Sequence, residues 1–104
     1  MRAHPYRPPP TKEKFMITPI ISIYDRAVLS YMPPFTVRTV GEAKRQLLDT
    51  VRDPNHAFSQ HPEDYDLVQL GMFNDNDGTI ESFKQPVLLM KVSEATQTTG
   101  TDNV

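Results

Sequence analysis

Thr39 to Val51 is the one stretch of this chain whose apolar residues recur at helical spacing, and it limits the fold more than any other feature. Val40, Ala43, Leu47 and Val51 fall on one face, with Leu48 widening the stripe. Thr39 reads as the N-cap and Glu42, three residues on, completes a capping-box pattern. Asp53-Pro54 ends it, because a residue before proline avoids the α region. Arg45 and Asp49, four apart, read as a solvated pair on the outer face.

The apolar segments on either side have strand character. Phe15 to Tyr24 is rich in β-branched and aromatic residues, and Ile21 and Ile23 alternate with Ser22 and Tyr24. Pro19 cannot donate to a ladder, which places it at a strand start, an edge or a bulge. Asp25 to Tyr31 reads as a loop or a short helical turn, and Pro33-Pro34 leads into a short strand at Phe35–Arg38. Between Pro54 and Pro62 a loop with one helical turn is expected. Asp66 to Phe73 reads as a strand, Asn74-Asp75-Asn76-Asp77-Gly78 as a hairpin turn, and Thr79 to Lys84 as the returning strand. Gln85-Pro86 breaks it, and Val87 to Val92 is a last apolar strand. The fold class that follows is α+β, a small antiparallel sheet of four or five strands with one main helix on one face.

At 104 residues the chain is a single domain, expected to span residues 15–92. Residues 1–14 hold four of the ten prolines, and Arg2, Arg7, Lys12 and Lys14 against Glu13 give them a charge of +3. This segment reads as a basic, disordered arm. Residues 93–104 are Thr/Gln/Asn/Asp-rich and read as a disordered polar tail. A folded part of roughly 80 residues is small for a self-sufficient core, so homo-oligomerisation is expected. The absence of cysteine excludes disulfides, thiolate zinc sites and cysteine nucleophiles, and fits a reducing cytoplasm. No segment has the roughly 18 apolar residues of a bilayer span, and the start lacks the apolar region of a secretory signal.

The succession of features resembles a known family. Tyr24-Asp25, Pro34-Phe35, Val40-Gly41-Glu42-Ala43, His61-Pro62-Glu63-Asp64-Tyr65, Leu70-Gly71-Met72-Phe73 and Pro86 with Leu88-Leu89 stand in the order found in the small nonstructural proteins of gokushovirus-type microviruses, tailless single-stranded DNA phages. The match runs over about residues 20 to 90. The resemblance implies a bacteriophage accessory protein of the host cytoplasm. It implies a role in single-stranded genome replication or packaging, by binding that DNA or the replication complex. It carries no catalytic motif and no cofactor.

Single-strand binding requires cations for phosphates and aromatic faces for bases. The candidate cations are Arg26, Arg38, Lys44, Arg45, Arg52 and Lys84, with Arg2, Arg7, Lys12 and Lys14 of the arm. The candidate stacking residues are Tyr24 and Tyr31, with Phe35 and Tyr6 behind them. A net charge of −2 means that any such contact comes from a local patch. The other reading is an adaptor that binds a host factor, the replication initiator or the procapsid without touching DNA. His56, His61, Glu63 and Asp64 match no metal motif, and Asp75, Asp77 and Glu81 fit hairpin chemistry rather than a calcium loop. No phosphate loop, nucleophile elbow or His/Cys pair supports an enzyme.

Overall fold

Alternating isoleucines make β1 (Ile17–Asp25) the strand on which the sheet is built, burying Ile21 and Ile23 on one face. The structure, a computed structural model, describes residues 16–101. After β1 come β2 (Ser30–Tyr31), β3 (Phe35–Thr36), α1 (Val40–Thr50) and a short α2 (Ala57–Gln60). A 3-10 turn at Pro62–Asp64 leads into β4 (Tyr65–Asn74), then β5 (Ile80–Lys91) and α3 (Val92–Thr101). The pairing is antiparallel throughout, in the order β2-β1-β4-β5, with β3 beside β1. The expected α+β class is what the chain adopts. Asp25 to Tyr31, read as a loop or helical turn, is a hairpin connection whose last two residues pair with β1.

The helix forms as its sequence dictates. Thr39 Oγ1 accepts the Glu42 N–H at 3.1 Å, and the Glu42 carboxylate reaches back to the Arg38 N–H at 2.8 Å, one residue earlier than a standard capping box. Ala43, Leu47 and Val51 are buried against Ile21, Ile23 and Leu67, with Phe58 of α2 beside them. Each large side chain in this layer contributes about 1.5–3 kcal/mol by burial.

Two further places differ from the sequence reading. The strands expected on either side of Gln85-Pro86 are one strand, β5. Its pairing jumps from Gln69↔Val87 to Gly71↔Ser82, so residues 83–86 have no partner on β4. Pro86 breaks the ladder, as a residue without an N–H must, but the chain keeps its direction. The second difference is α3, which begins where a polar tail was expected. Val92 and Ala95 are fully buried, and the Lys91 N–H donates to the Glu94 carboxylate at 3.1 Å. Two apolar residues three apart are too short a pattern to stand out amid Thr and Gln, yet they suffice to dock one turn on the core. The arm at 1–14 lies outside the described residues. No helix among those described is long and apolar enough to cross a membrane.

The β4–β5 hairpin closes as its sequence requires. Gly78 takes φ +77° and donates to the Asn74 carbonyl at 2.8 Å. Asp77 accepts from the Thr79 hydroxyl at 2.7 Å and from its N–H at 3.0 Å, which holds the Asp77 carboxyl below its ordinary value. A depressed carboxyl stabilises the fold above its ordinary pKa, and that stability is lost as pH falls through the lowered value. Thr79→Val should return the Asp77 titration towards the ordinary carboxylate range, read by carboxyl NMR. An unmoved titration would show that the Thr79 hydroxyl is not its cause.

Candidate nucleic-acid interface

Arg38 lies just before the N-cap Thr39 and Arg45 in the second turn of α1, and the fold brings both to the start of the helix. Together with Thr39, Gly41 and Glu42 they line an open cleft of about 520 Å³. Gly41 adds no side chain to it. The helix dipole gives this end of α1 a partial positive charge, although Thr39 caps the Glu42 N–H. Glu42 opposes it with one carboxylate, already engaged by the Arg38 N–H. Neither Arg38 nor Arg45 forms an ion pair among the described residues. Planar, permanently charged guanidinium groups suit bidentate contact with phosphate.

The remaining candidate cations are scattered. Arg26 is bound to the Asp66 carboxylate and the Glu63 carbonyl, while its N–H donates to the Asp64 carbonyl at 2.7 Å. The hydrogen bond to Asp66 raises the Arg26 pKa further above its ordinary value. Its role in this arrangement is to tie the end of β1 to the start of β4. Arg52 sits at the far end of α1, 3.6 Å from Asp49, which pairs with it rather than with Arg45. Lys44 is half-buried on α1, next to Arg45 in sequence. Lys84 is exposed in the unpaired part of β5. Arg2, Arg7, Lys12 and Lys14, and Tyr6 with them, lie outside the described residues.

The aromatic candidates are elsewhere. Tyr24 and Tyr31 lie opposite each other on β1 and β2, ring centroids 4.6 Å apart and tilted by 49°. Val37, just before Arg38, donates to Pro19 near the other end of β1. Five residues of strand therefore put the tyrosine pair roughly 15 Å from the arginine cleft. Phe35 borders a second, apolar groove of about 330 Å³ between α1 and the Met32–Pro33 segment, floored by Leu47 and Leu67. Among the described residues, the arginine pair is thus the one group of candidate cations that the fold gathers. Thr39 and Gly41, not singled out as site residues from sequence, complete it. The signal for them was a capping box with one arginine just before its N-cap and another in the second turn of the helix.

Asp66 carries a further feature, since its second carboxylate oxygen is buried without a hydrogen-bond partner. Tyr65, alongside, has its hydroxyl pKa raised, first by burial and then by the charges of Asp25 and Asp64. His56 serves as a cap, its Nδ1 accepting the Phe58 N–H at 3.0 Å.

A family model described as "Phage ORF5 protein" matches residues 18–95, from the second residue of β1 to the buried Ala95 of α3. No curated protein and no solved structure matches the chain.

Proposed function

The chain belongs to the phage ORF5 protein family, and from that footing we propose that it is the small nonstructural protein of a gokushovirus-type microvirus. In this reading it acts in the host cytoplasm, without catalysis, by holding single-stranded DNA while progeny genomes are made or packaged. The observation that carries the reading is the convergence of Arg38 and Arg45 on one cleft at the start of α1. Phosphate would meet two guanidinium groups and the positive end of the helix dipole there, a combination that favours an anion. Lys44 and the cations of the arm would add contacts along the strand. The tyrosine pair is too far away to share the same nucleotide.

Direct phosphate contact has a salt signature. Three contacts on a single strand give a slope of about −2 in log affinity against log salt. Fluorescence anisotropy with labelled oligonucleotides should find binding in the micromolar range at about 50 mM salt. Arg38→Glu with Arg45→Glu should weaken it about tenfold or more and flatten the slope. Arg52→Glu, at the other end of α1, should change it little. Absence of binding at that salt concentration would refute direct contact and leave the adaptor reading in its place.

A further inference from the structure

Among the described residues, Glu42 is the one acidic side chain that lines the arginine cleft. Its carboxylate is fixed there. It accepts the Arg38 N–H at 2.8 Å, while the Glu42 N–H donates to Thr39 Oγ1 at 3.1 Å. The carboxylate cannot swing out without giving up its half of the cap on α1. Yet it forms no ion pair with either arginine among the described residues, where the ion pairs are those of Arg26 and Arg52. The cleft therefore holds two guanidinium groups free to bind an anion and one carboxylate that repels it, a net charge of +1. Capping alone does not call for that negative charge. A capping box takes Gln at this position as well as Glu, and the helix dipole adds only a modest preference for a carboxylate.

We propose that Glu42 sets the affinity of this cleft. Its carboxylate keeps any single phosphate weakly held, so that useful affinity comes only from phosphates joined in one strand. The inference rests on the DNA reading and adds the class of ligand that the cleft selects: a strand, rather than free phosphate or a mononucleotide. Arg38 and Arg45 are both exposed, and ion pairs at exposed positions are weak and screened by salt. With one charge cancelled by Glu42, a lone phosphate has little to hold it against water.

The shape of the cleft points the same way. A site for a small free ligand encloses most of its surface. This one is open, and a Cβ at Gly41 would meet nothing nearer than Thr39 Oγ1 at 3.8 Å. An open cleft cannot wrap a lone anion, but it lets a chain enter on one side and leave on the other. Once one phosphate of a strand sits between the arginines, the next is presented to neighbouring cations at a high effective concentration. Lys44, which precedes Arg45 on α1, is one such cation. Affinity spread over several weak contacts also lets a protein move along the strand.

Glu42→Gln in the full chain is the test, because it removes the charge and keeps the cap. It should bind a labelled oligothymidylate of about 20 nucleotides about three- to fivefold tighter than wild type at about 50 mM salt. The gain should shrink below about twofold at about 300 mM, since it is a charge effect. Glu42→Ala removes charge and cap together, so it should show a similar gain in binding but melt at a lower temperature than Glu42→Gln. Inorganic phosphate, followed by the amide NMR shifts of Gly41 and Arg45, should bind wild type at least about 100-fold more weakly than the oligonucleotide does. Wild type that binds the oligonucleotide through Arg38 and Arg45, with Glu42→Gln no tighter, would overturn this inference and leave the DNA reading standing. So would a gain seen in Glu42→Ala alone, or inorganic phosphate held as tightly as the oligonucleotide. Failure of both wild type and Glu42→Gln to bind oligonucleotide would overturn the DNA reading and this inference with it.

Discussion

Gly71→Ala is expected to lower the melting temperature by about 15 °C, the equivalent of about 3 kcal/mol in a domain of this size. The cause is backbone on backbone. A Cβ at Gly71 would lie 2.1 Å from the Glu81 carbonyl oxygen, with the Ser82 Cα at 3.1 Å. No rotamer change relieves that contact, because the obstacle is the neighbouring strand itself. The approach is close for a structural reason. Ile20 pairs with Gly71 while Ile21 pairs with Gln69, so Leu70 is squeezed out of the ladder between them. Beside it, β5 drops residues 83–86 from its own ladder. Gly71 sits where both irregularities meet, and a glycine in mid-strand marks such a spot. Gly41→Ala provides the opposite case, since its Cβ would meet nothing nearer than Thr39 Oγ1 at 3.8 Å. There the better helix former should stabilise by about 0.5 kcal/mol. Thermal or urea unfolding of the two variants checks both signs, and a Gly71→Ala protein as stable as wild type would mean that β5 does not approach β4 this closely.

Ala95→Asp should be nearly as damaging, at about 3–5 kcal/mol, because it places a carboxylate without a partner at a fully buried position. Ala95 packs in the same cluster as Leu47 and Val92. If residues 93–104 were a solvated tail, the same substitution would fall within about 0.5 kcal/mol of neutral. The two expectations differ so much that a single urea melt separates them. Thr96→Asp, on the neighbouring half-buried position, should cost far less and controls for helix propensity.

These two positions also mark where the sequence was readable and where it was not. The α1 cap, its apolar face and the Asp77-Gly78 turn are local: their signals lie within a few residues and the physics that forms them is equally short-range. The strand Tyr65–Asn74 was legible for the same reason. The role of Gly71 was not, because it depends on a strand ten residues further along the chain pressing against it. The helix after β5 was hidden because only Val92 and Ala95 anchor it. Arg26 looked like a spare cation, since nothing in Tyr24-Asp25-Arg26 says that Asp66, forty residues away, will claim it. At the candidate site, the charges at Arg38 and Arg45 were visible in the sequence, but not that the fold brings them to one cleft. What remained invisible was their separation from Tyr24 and Tyr31, which follows from where β3 joins β1.

The bond between Arg26 and Asp66 fastens the base of everything between β1 and β4. That span includes α1 and its two arginines, and it leaves and re-enters the sheet through adjacent central strands. A pull at Arg38 reaches β1 through the Val37–Pro19 hydrogen bond and the short β3 pairing. It then loads a long ladder along its length, so that many bonds share the force, rather than opening a marginal strand one rung at a time.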